Sequence, residues 1–331
     1  MIKEPRVEVT VLMPVFNSEL YLRESISSIL NQSFTNFELI IINDGSTDAS
    51  DKIIRSFNDN RINYVNNLSN KGIVSVLNEG LDLSKGKYIA RMDADDIATA
   101  HRLETQVQFL KANPEYKLCG TYAIKINEHS EKSSKIRPPK QYEKIKVSQL
   151  FKNSFIHPSI LADADTIKSF GYKEEYKYAE DYLLFSEITM HHKAINIKNI
   201  GLYYRVHNQS ISTKRLSEMM ESERKTMHYL LSFLFDEVTE KQLAIHHSLL
   251  RFEQNSDYNS VEVEQHLIAI KLANRSKKIY IKSVLEKRLQ KEWFNTLNRS
   301  SENNKLLKFI SSKLFSIRFL NLKQLIKLSS N

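Results

Sequence analysis

The fold is decided within residues 9–48, which read VTVLMPVFNSELYLRESISSILNQSFTNFELIIINDGSTD. The segment opens with the apolar run VTVLMPVF, which is typical of a buried strand, and FELIIIND repeats this pattern near its end. Between the two runs, Leu22, Ile26 and Ile29 recur at the spacing of one helix face. A strand, a helix and a second strand in this order predict a βαβ unit with parallel strands.

The same alternation continues over about the first 110 residues. INYVNN is a third strand pattern, NKGIVSVLNEGLDLSKG is a helix pattern, and KYIARMDADD is a fourth strand pattern. Uninterrupted alternation predicts an α/β fold with helices on both faces of a parallel sheet. Sheets of this kind bind ligands at the carboxyl ends of their strands.

Polar residues stand where three of these strands end. Asn17 and Asp44 follow the first two strands, and Asp93, Asp95 and Asp96 follow the fourth. Carboxylates this close repel each other, and a hard divalent cation shared with phosphate oxygens would neutralise them. The alternative is an exposed acidic loop whose last residues cap the next helix.

The order and spacing of these motifs resemble a known family. VTVLMPVF to INDGSTD, NKGIVSVLNEG and GKYIARMDADD are similar to the nucleotide-sugar-binding half of the family 2 inverting glycosyltransferases over residues 8–112. The resemblance continues through FIHPSI, YAEDYLLF and YYRVHNQSIS to about residue 213, and it does not cover 215–331. It implies the GT-A fold, a Rossmann-like, mostly parallel sheet flanked by helices, here with a C-terminal helical region.

The resemblance assigns nucleotide-sugar contacts to matching positions. It places Pro14, Asn17 and Asp44 around the base and ribose, with Asp44 facing uracil, and Asn70 beside the nucleotide. From the residues alone, INDGSTD is equally an ordinary connection from a strand to a helix.

It also implies a diphosphate site that holds Mn²⁺ or Mg²⁺. Asp93 and Asp95 would ligate the cation next to the donor, and His207 would be a third ligand. Arg205 would bind phosphate through its fork of donors. The residues alone also allow a surface turn after a strand at YYRVHNQSIS.

Catalysis is assigned to the acidic pair in YAEDYLLF. Asp181 matches the family's general base, with Glu180 beside it. Without the resemblance, the two acids equally fit the N-terminus of a helix, where they complement the helix dipole. The chain departs from the common family pattern at Leu77, Leu183 and Phe185.

Three regions are predicted. Residues 1–112 form the nucleotide-sugar-binding half, 113–214 the acceptor-binding half, and 215–331 a helical basic region. The net charge of +9 is concentrated in this last region, because residues 265–331 hold 15 Lys and Arg but only 3 Asp and Glu. Residues 305–328 predict a basic, amphipathic helix that contacts the inner membrane surface, or else a core or oligomerisation helix.

The prediction is a glycosyltransferase that moves a sugar from a nucleotide diphosphate donor, a UDP-sugar, to a hydroxyl of a growing surface glycan. The acceptor would be a glycan or a lipid-linked glycan of lipopolysaccharide, capsule or teichoic-acid type. The rivals are a sugar-1-phosphate nucleotidyltransferase, which needs a Gly-rich loop that PVFNSELY lacks, and a non-enzymatic polyanion-binding protein. No nucleic acid partner is expected.

Two further features bound the environment of the chain. Its single cysteine, Cys119, excludes an internal disulfide and lies in a strand pattern typical of a buried thiol. The charged N-terminus runs directly into a strand, and no apolar run reaches the length of a membrane span. We therefore expect a cytoplasmic protein that is peripheral on the inner face of the membrane.

Overall fold

The first four strands form the parallel part of the sheet. A computed structural model of the chain describes residues 7–207, 215–251 and 258–329. The four strands are β1 (Val9–Val15), β2 (Phe37–Asp44), β3 (Ile62–Asn67) and β4 (Tyr88–Arg91). They lie in the order β3-β2-β1-β4, and each neighbouring pair is parallel. The carboxyl ends of β1, β2 and β4 therefore meet at one edge, as the sequence predicts.

Three helices connect these strands, a fourth follows β4, and together they cover both faces. They are α1 (Leu22–Leu30), α2 (Ser50–Arg55), α3 (Ile73–Leu83) and α4 (Arg102–Ala112). Apolar side chains of α1 and α4 pack with alternate residues of β1 and β2, whereas α3 packs on the opposite face. Gly80 lets α3 approach closely, because a Cβ there would lie 2.1 Å from Leu12 Cδ1.

Beyond β4 the sheet is mixed. The remaining strands are β5 (Ile97–Ala98), β6 (Tyr116–Ile126), β7 (Lys132–Ile136), β8 (Leu161–Asp163) and β9 (Lys193–Arg205). The order continues β4-β8-β6-β9-β5, with β7 on β6. β8 is antiparallel to β4 and β6, whereas β6 and β9 are parallel. The predicted α/β class is confirmed, and antiparallel pairs enter only after β4.

Three helices accompany these later strands. They are α5 (Tyr142–Gln149), α6 (Ala164–Phe170) and α7 (Glu180–His191), and 3-10 turns lie at His157–Ser159 and Glu174–Tyr176. Leu184 and Ile188 of α7 join the same apolar cluster as α3. This packing fixes the N-terminus of α7, which carries the predicted catalytic acids.

The chain divides into two compact units. One comprises Met1–Ile145 and Ser154–Ser222, and the other Lys146–Asn153 and Glu223–Asn331. The later helices are α8 (Leu216–Ser232), α9 (Glu240–Arg251), α10 (Ser260–Lys277), α11 (Lys282–Arg299), α12 (Lys305–Ser311) and α13 (Leu322–Ser329). No strand occurs after Arg205 in the described ranges, which agrees with the predicted helical C-terminal region.

The prediction of one continuous helix over 305–328 is wrong. Residues 305–311 and 322–329 are separate helices, and a 3-10 turn lies at Ile317–Phe319. Ser312 Oγ accepts a hydrogen bond from Leu314 N, and Asn321 Oδ1 accepts one from Lys323 N. Such local bonds compete with helical ones, which is why the chain breaks at these residues.

Two smaller expectations concern burial and membrane spans. Cys119 is completely buried on β6, and burial raises the pKa of its thiol to about 12, so it is the inert thiol that was predicted. None of the helices in the described ranges has the length and apolar composition that crossing a membrane requires.

Candidate functional site

The acidic residues after β4 form a compact cluster. Ligand oxygens of Asp93, Asp95 and Asp96 all lie within 4.8 Å of one another. His207 follows the end of β9, and its Nε2 atom lies 2.8 Å from Asp95 Oδ2. Carboxylate oxygens suit Mn²⁺ or Mg²⁺, and an imidazole nitrogen is a common metal ligand. The structure thus brings the three predicted metal ligands together and adds Asp96.

The electrostatics of the cluster fit a cation. Burial raises the pKa of Asp93, although the Arg91 guanidinium opposes the shift. Burial, and then the charges of Asp93 and Asp95, hold the pKa of Asp96 well above its usual range. Asp96 Oδ2 is buried without a hydrogen-bond partner in the described part of the chain. Carboxylates in this position gain from a nearby positive charge.

Asp93–Asp96 are held in place by α1 and β9. Ser25 Oγ on α1 donates a hydrogen bond of 2.6 Å to the Asp93 carbonyl. On the other side, the Arg205 backbone N–H donates to Asp96 Oδ1 at 2.7 Å. Asp96 therefore ties the cluster to the end of β9, and His207 lies only two residues beyond that end.

Arg205 does not have the arrangement expected of a phosphate-binding residue. All three guanidinium nitrogens donate within the unit, Nε to the Asp95 carbonyl at 2.8 Å, Nη1 to the Asn127 carbonyl at 3.0 Å and Nη2 to Glu24 at 2.6 Å. The residue is 2% exposed, and its guanidinium carbon lies 4.3 Å from the Tyr21 ring centroid. A long side chain buried in this way positions the acidic cluster, and sequence spacing gave no sign of these partners.

Asp44 lies at the predicted edge and organises a loop. Its Oδ1 atom accepts the Lys71 backbone N–H at 2.8 Å, and its Oδ2 atom accepts that of Gly72 at 2.9 Å. Gly45 has a positive φ of 70°, and a Cβ there would lie 2.8 Å from the backbone nitrogen of Asn70. Gly45 thus allows the loop carrying the exposed Asn70 to close over the end of β2.

Asn17 joins the ends of β1 and β2. It adopts a left-handed φ of 47°, and its Oδ1 atom accepts the Thr47 backbone N–H at 2.9 Å. Pro14 is buried inside β1, beyond Leu12, where the pairing with β4 stops. A proline costs no ladder hydrogen bond at that point. The four predicted nucleotide positions therefore lie at or beside the carboxyl ends of β1, β2 and β3.

The predicted catalytic acids begin α7. Asp181 is half-buried, whereas Glu180 is 7% exposed and its Oε2 atom has no hydrogen-bond partner among the described residues. Burial, and then the charge of Asp181, raise the pKa of Glu180 to about 7. Near neutral pH Glu180 is therefore divided between its protonated and ionised forms, beside a second carboxyl group.

Arg91 acts on both the acidic cluster and the predicted catalytic pair, and sequence reasoning missed this residue. Its guanidinium pairs with Asp93, and its positive charge lowers the pKa of Glu180 against the effect of burial. Burial raises the pKa of the Tyr172 hydroxyl, and the charges of Arg91, Glu180 and others also act on it. The two carboxylate groups therefore belong to one electrostatic site. The sequence held one sign of this role, because Arg91 is the only charged residue in the strand YIAR.

His157 faces the same region from a 3-10 turn. Its Nε2 atom lies 2.9 Å from the Tyr172 hydroxyl, and its ring meets Phe185 edge-on at 5.6 Å. Burial, and then the charge of Arg91, hold the pKa of His157 well below its usual value. His157 is therefore a neutral imidazole, and Phe185 packs against it as a core residue.

Comparison with known proteins identifies the family. The family model described as Glycosyl transferase family 2 matches residues 10–162. An uncharacterized glycosyltransferase of Haemophilus influenzae is 32% identical over 242 residues, which are 70% of this chain and 75% of the relative. The chain belongs to glycosyltransferase family 2. It is accordingly a glycosyltransferase, and the nucleotidyltransferase and polyanion-binding alternatives are set aside.

A second relative of this glycosyltransferase is named by its reaction. The UDP-Glc:alpha-D-GlcNAc-diphosphoundecaprenol beta-1,3-glucosyltransferase WfgD of Escherichia coli is 30% identical over 239 residues. The match spans 68% of this family 2 chain and 92% of the relative.

Solved structures show the GT-A fold at low sequence identity. S. aureus TarS 1-349 in complex with UDP-GlcNAc is similar with a TM-score of 0.56 and 15% identity, over 97% of this glycosyltransferase and 89% of TarS 1-349. The mannosyltransferase PcManGT from Pyrobaculum calidifontis, in complex with GDP-Man and Mn²⁺, has a TM-score of 0.51 and 16% identity over 99% and 87% of the two chains. The predicted fold is confirmed.

Proposed function

We propose that this family 2 glycosyltransferase transfers one sugar from a UDP-sugar to a hydroxyl of a growing surface glycan, with inversion at the anomeric carbon. The observation that carries the proposal is the cluster of Asp93, Asp95 and Asp96 after β4 with His207 after β9, in one electrostatic site with Glu180 and Asp181. A UDP-sugar donor is supported by the TarS structure with UDP-GlcNAc.

The donor site in this proposal lies at the carboxyl ends of the strands. Asp44, Asn17 and Asn70 surround the base and ribose, and Asp93, Asp95 and His207 hold Mn²⁺ or Mg²⁺, with Asp96 behind them. The cation, when bound, offsets the negative charge that develops on the departing diphosphate. Arg205 positions Asp95 and Asp96 instead of binding phosphate, since its guanidinium is occupied within the unit.

The acceptor step in this proposal belongs to α7. Asp181 accepts the proton from the acceptor hydroxyl as that oxygen attacks the anomeric carbon, and the bond to the diphosphate breaks on the opposite side of the sugar. Glu180 stays beside it and is partly protonated at neutral pH, which limits repulsion between the two carboxyl groups. Arg91 holds Asp93 and moderates the charge of Glu180.

The acceptor is a glycan or a lipid-linked glycan, and the enzyme works at the cytoplasmic face of the membrane. The support is the lipid-diphosphate acceptor in the name of the WfgD relative, which matches over most of its length. The wider assignment to lipopolysaccharide, capsule or teichoic-acid-type polymers likewise rests on the similarity of this chain to named relatives. The predicted halves 1–112 and 113–214 remain proposals for donor and acceptor binding.

Calorimetric titration with UDP, with and without Mn²⁺, tests the donor site. We expect Mn²⁺-dependent binding that falls at least about 100-fold in Asp95→Ala, because even groups behind a metal ligand contribute 10- to 100-fold to metal affinity. Asp165→Ala is the matched control, since Asp165 is an exposed acid on α6. Preference for GDP or dTDP would change the donor, and absence of nucleotide binding would overturn the proposal.

A further inference from the structure

The C-terminal segment exposes apolar side chains of a kind that folded proteins normally bury. Five of them lie on α12, the 3-10 turn and α13, and their exposed fractions are 62% for Leu307, 43% for Ile310, 79% for Ile317, 70% for Leu322 and 67% for Ile326. We call these side chains, with the basic ones between them, the C-terminal surface. Single exposed apolar residues are ordinary, but several in consecutive packed elements mark an interaction site.

The exposure belongs to a folded surface. Phe309, Leu314 and Leu328 of the same segment are at most 2% exposed, so each part is anchored in its own unit. The Ser316 backbone N–H also donates to Gln290 Oε1 on α11 at 2.8 Å. α12 and α13 pack against α11 and against each other. The outward side chains are therefore held in place while they face solvent.

The charge of the segment is of one sign. Residues 303–329 contain five lysines, one arginine and no acidic residue. Lys313, Arg318 and Lys323 are exposed. Arg318 directly follows Ile317 in sequence, and Lys323 directly follows Leu322. Cationic and apolar groups therefore alternate along the segment.

We propose that the C-terminal surface docks on an anionic lipid bilayer, with the apolar side chains in the headgroup region and the cations on lipid phosphates. Interfacial segments combine apolar side chains with lysine and arginine in this way. A second copy of the chain would bring two such basic surfaces together, which repel. A nucleic acid would use the cations but leave the apolar side chains in water. The inference goes beyond the proposed function and does not depend on it.

Sedimentation of the full chain with lipid vesicles tests the proposal. We expect the protein to pellet with vesicles of phosphatidylglycerol and phosphatidylcholine, to pellet less as salt is raised, and to stay in solution with phosphatidylcholine alone. Failure to pellet with the anionic vesicles would overturn it. Because the read-out needs no nucleotide, its failure is distinct from a failure of UDP binding, which is measured in parallel.

Two variants separate the apolar and electrostatic contributions. Ile317→Ser with Leu322→Ser and Ile326→Ser should lower partitioning onto vesicles at least about tenfold, because each substitution removes an apolar side chain that the bilayer would bury. Lys313→Gln with Arg318→Gln and Lys323→Gln should lower it on the order of a hundredfold. All six positions are exposed, so folding should survive, and circular dichroism checks this.

The matched control is Val261→Ser with Leu272→Ser on α10, whose apolar side chains are 52% and 53% exposed. It should partition like the wild type. Equal partitioning of the apolar variant and the wild type would overturn the proposal. If the protein binds heparin as well as vesicles, and if the apolar variant binds both like the wild type, the partner is a polyanion instead. A dimer by light scattering that the apolar variant abolishes would indicate a second copy.

Discussion

At the scale of residues, the two acids at the start of α7 show how neighbours acquire different properties. Asp181 is half-buried, whereas Glu180 points into a buried environment that raises its pKa to about 7. Burial is the larger cause, and the adjacent charge adds to it. A group that must exchange a proton with an acceptor needs access, which Asp181 has and Glu180 lacks. The proposed division of roles follows from this difference.

Asp181→Asn should abolish most transfer while leaving donor binding intact. Removing a general base lowers turnover by about 10²- to 10⁴-fold, and the amide keeps the shape of the side chain. Transfer is followed by release of UDP with a suitable acceptor, and donor affinity by calorimetry. Asp165→Asn on α6 should behave like the wild type. A turnover near that of the wild type in Asp181→Asn would exclude this residue as the base.

Glu180→Gln should change how stability depends on pH. The pKa of Glu180 is raised from 4.5 to about 7 in the folded chain, so its contribution is fully present below pH 4.5 and is lost as pH rises through about 7. The loss is up to about 3 kcal/mol, and it is shared with the neighbouring carboxyl. The glutamine variant should lack it.

Urea unfolding of both proteins at pH 5 and pH 8 checks this prediction. The free energy of unfolding of the wild type minus that of Glu180→Gln should be smaller at pH 8 than at pH 5. Parallel changes in the two proteins would show that Glu180 titrates at its ordinary pKa.

At the scale of elements, the end of β9 holds the loop that follows β4. Its residue Arg205 bonds to Asp95 and Asp96, and it is itself oriented by Glu24 of α1 at 2.6 Å. Two elements distant in sequence, β9 and α1, thus fix one acidic loop. The geometry of the proposed metal ligands therefore depends on how the strands and α1 pack.

Arg205→Lys should weaken Mn²⁺-dependent UDP binding by about tenfold, because a lysine cannot reproduce the fork that holds the Asp95 carbonyl and Glu24. UDP binding measured without metal should be unchanged. Arg23→Lys, an exposed position on α1, serves as the control. An equal loss of UDP affinity with and without Mn²⁺ would instead indicate that Arg205 contacts phosphate directly.

At the scale of the whole molecule, the two compact units are not consecutive pieces of chain. Residues 146–153 belong with the C-terminal helices, where the Leu150 carbonyl accepts a hydrogen bond from His246 Nε2 at 2.6 Å. Phe151 packs against the His246 ring at a centroid distance of 5.1 Å. A single boundary along the sequence, such as the one proposed at residue 214, does not account for residues 146–153 in the C-terminal unit.

A fragment that ends at residue 214 should therefore associate or bind the dye ANS more than the full chain. Leu150 and Phe151 are 0% and 3% exposed in the full chain and would lose their partners in the fragment. Size-exclusion chromatography and ANS fluorescence measure the effect. The same fragment with Leu150→Ser and Phe151→Ser should be monomeric, and aggregation of both fragments alike would locate the instability elsewhere.

Local patterns in the sequence determined the secondary elements and the edge at which the site forms. The apolar runs of β1, β2 and β4 and the helix faces between them follow from periodicity, and helical crossovers make such strands parallel. Asp44 and the cluster of Asp93, Asp95 and Asp96 could therefore be placed together, because the polar residue after each strand is fixed by where that strand ends.

The tertiary structure alone decided which long side chains meet in that site. Arg205 turns to Glu24 and the Asp95 carbonyl, which lie far from it in sequence. Arg91 pairs with its near neighbour Asp93, and the fold brings its charge to bear on Glu180. The break in the segment 305–328 was likewise missed, because its helical spacing gave no measure of the local serine and asparagine bonds that end α12 and begin α13. Periodicity indicates which face of an element is apolar, whereas the partners of a buried charge depend on which elements pack against one another in the folded chain.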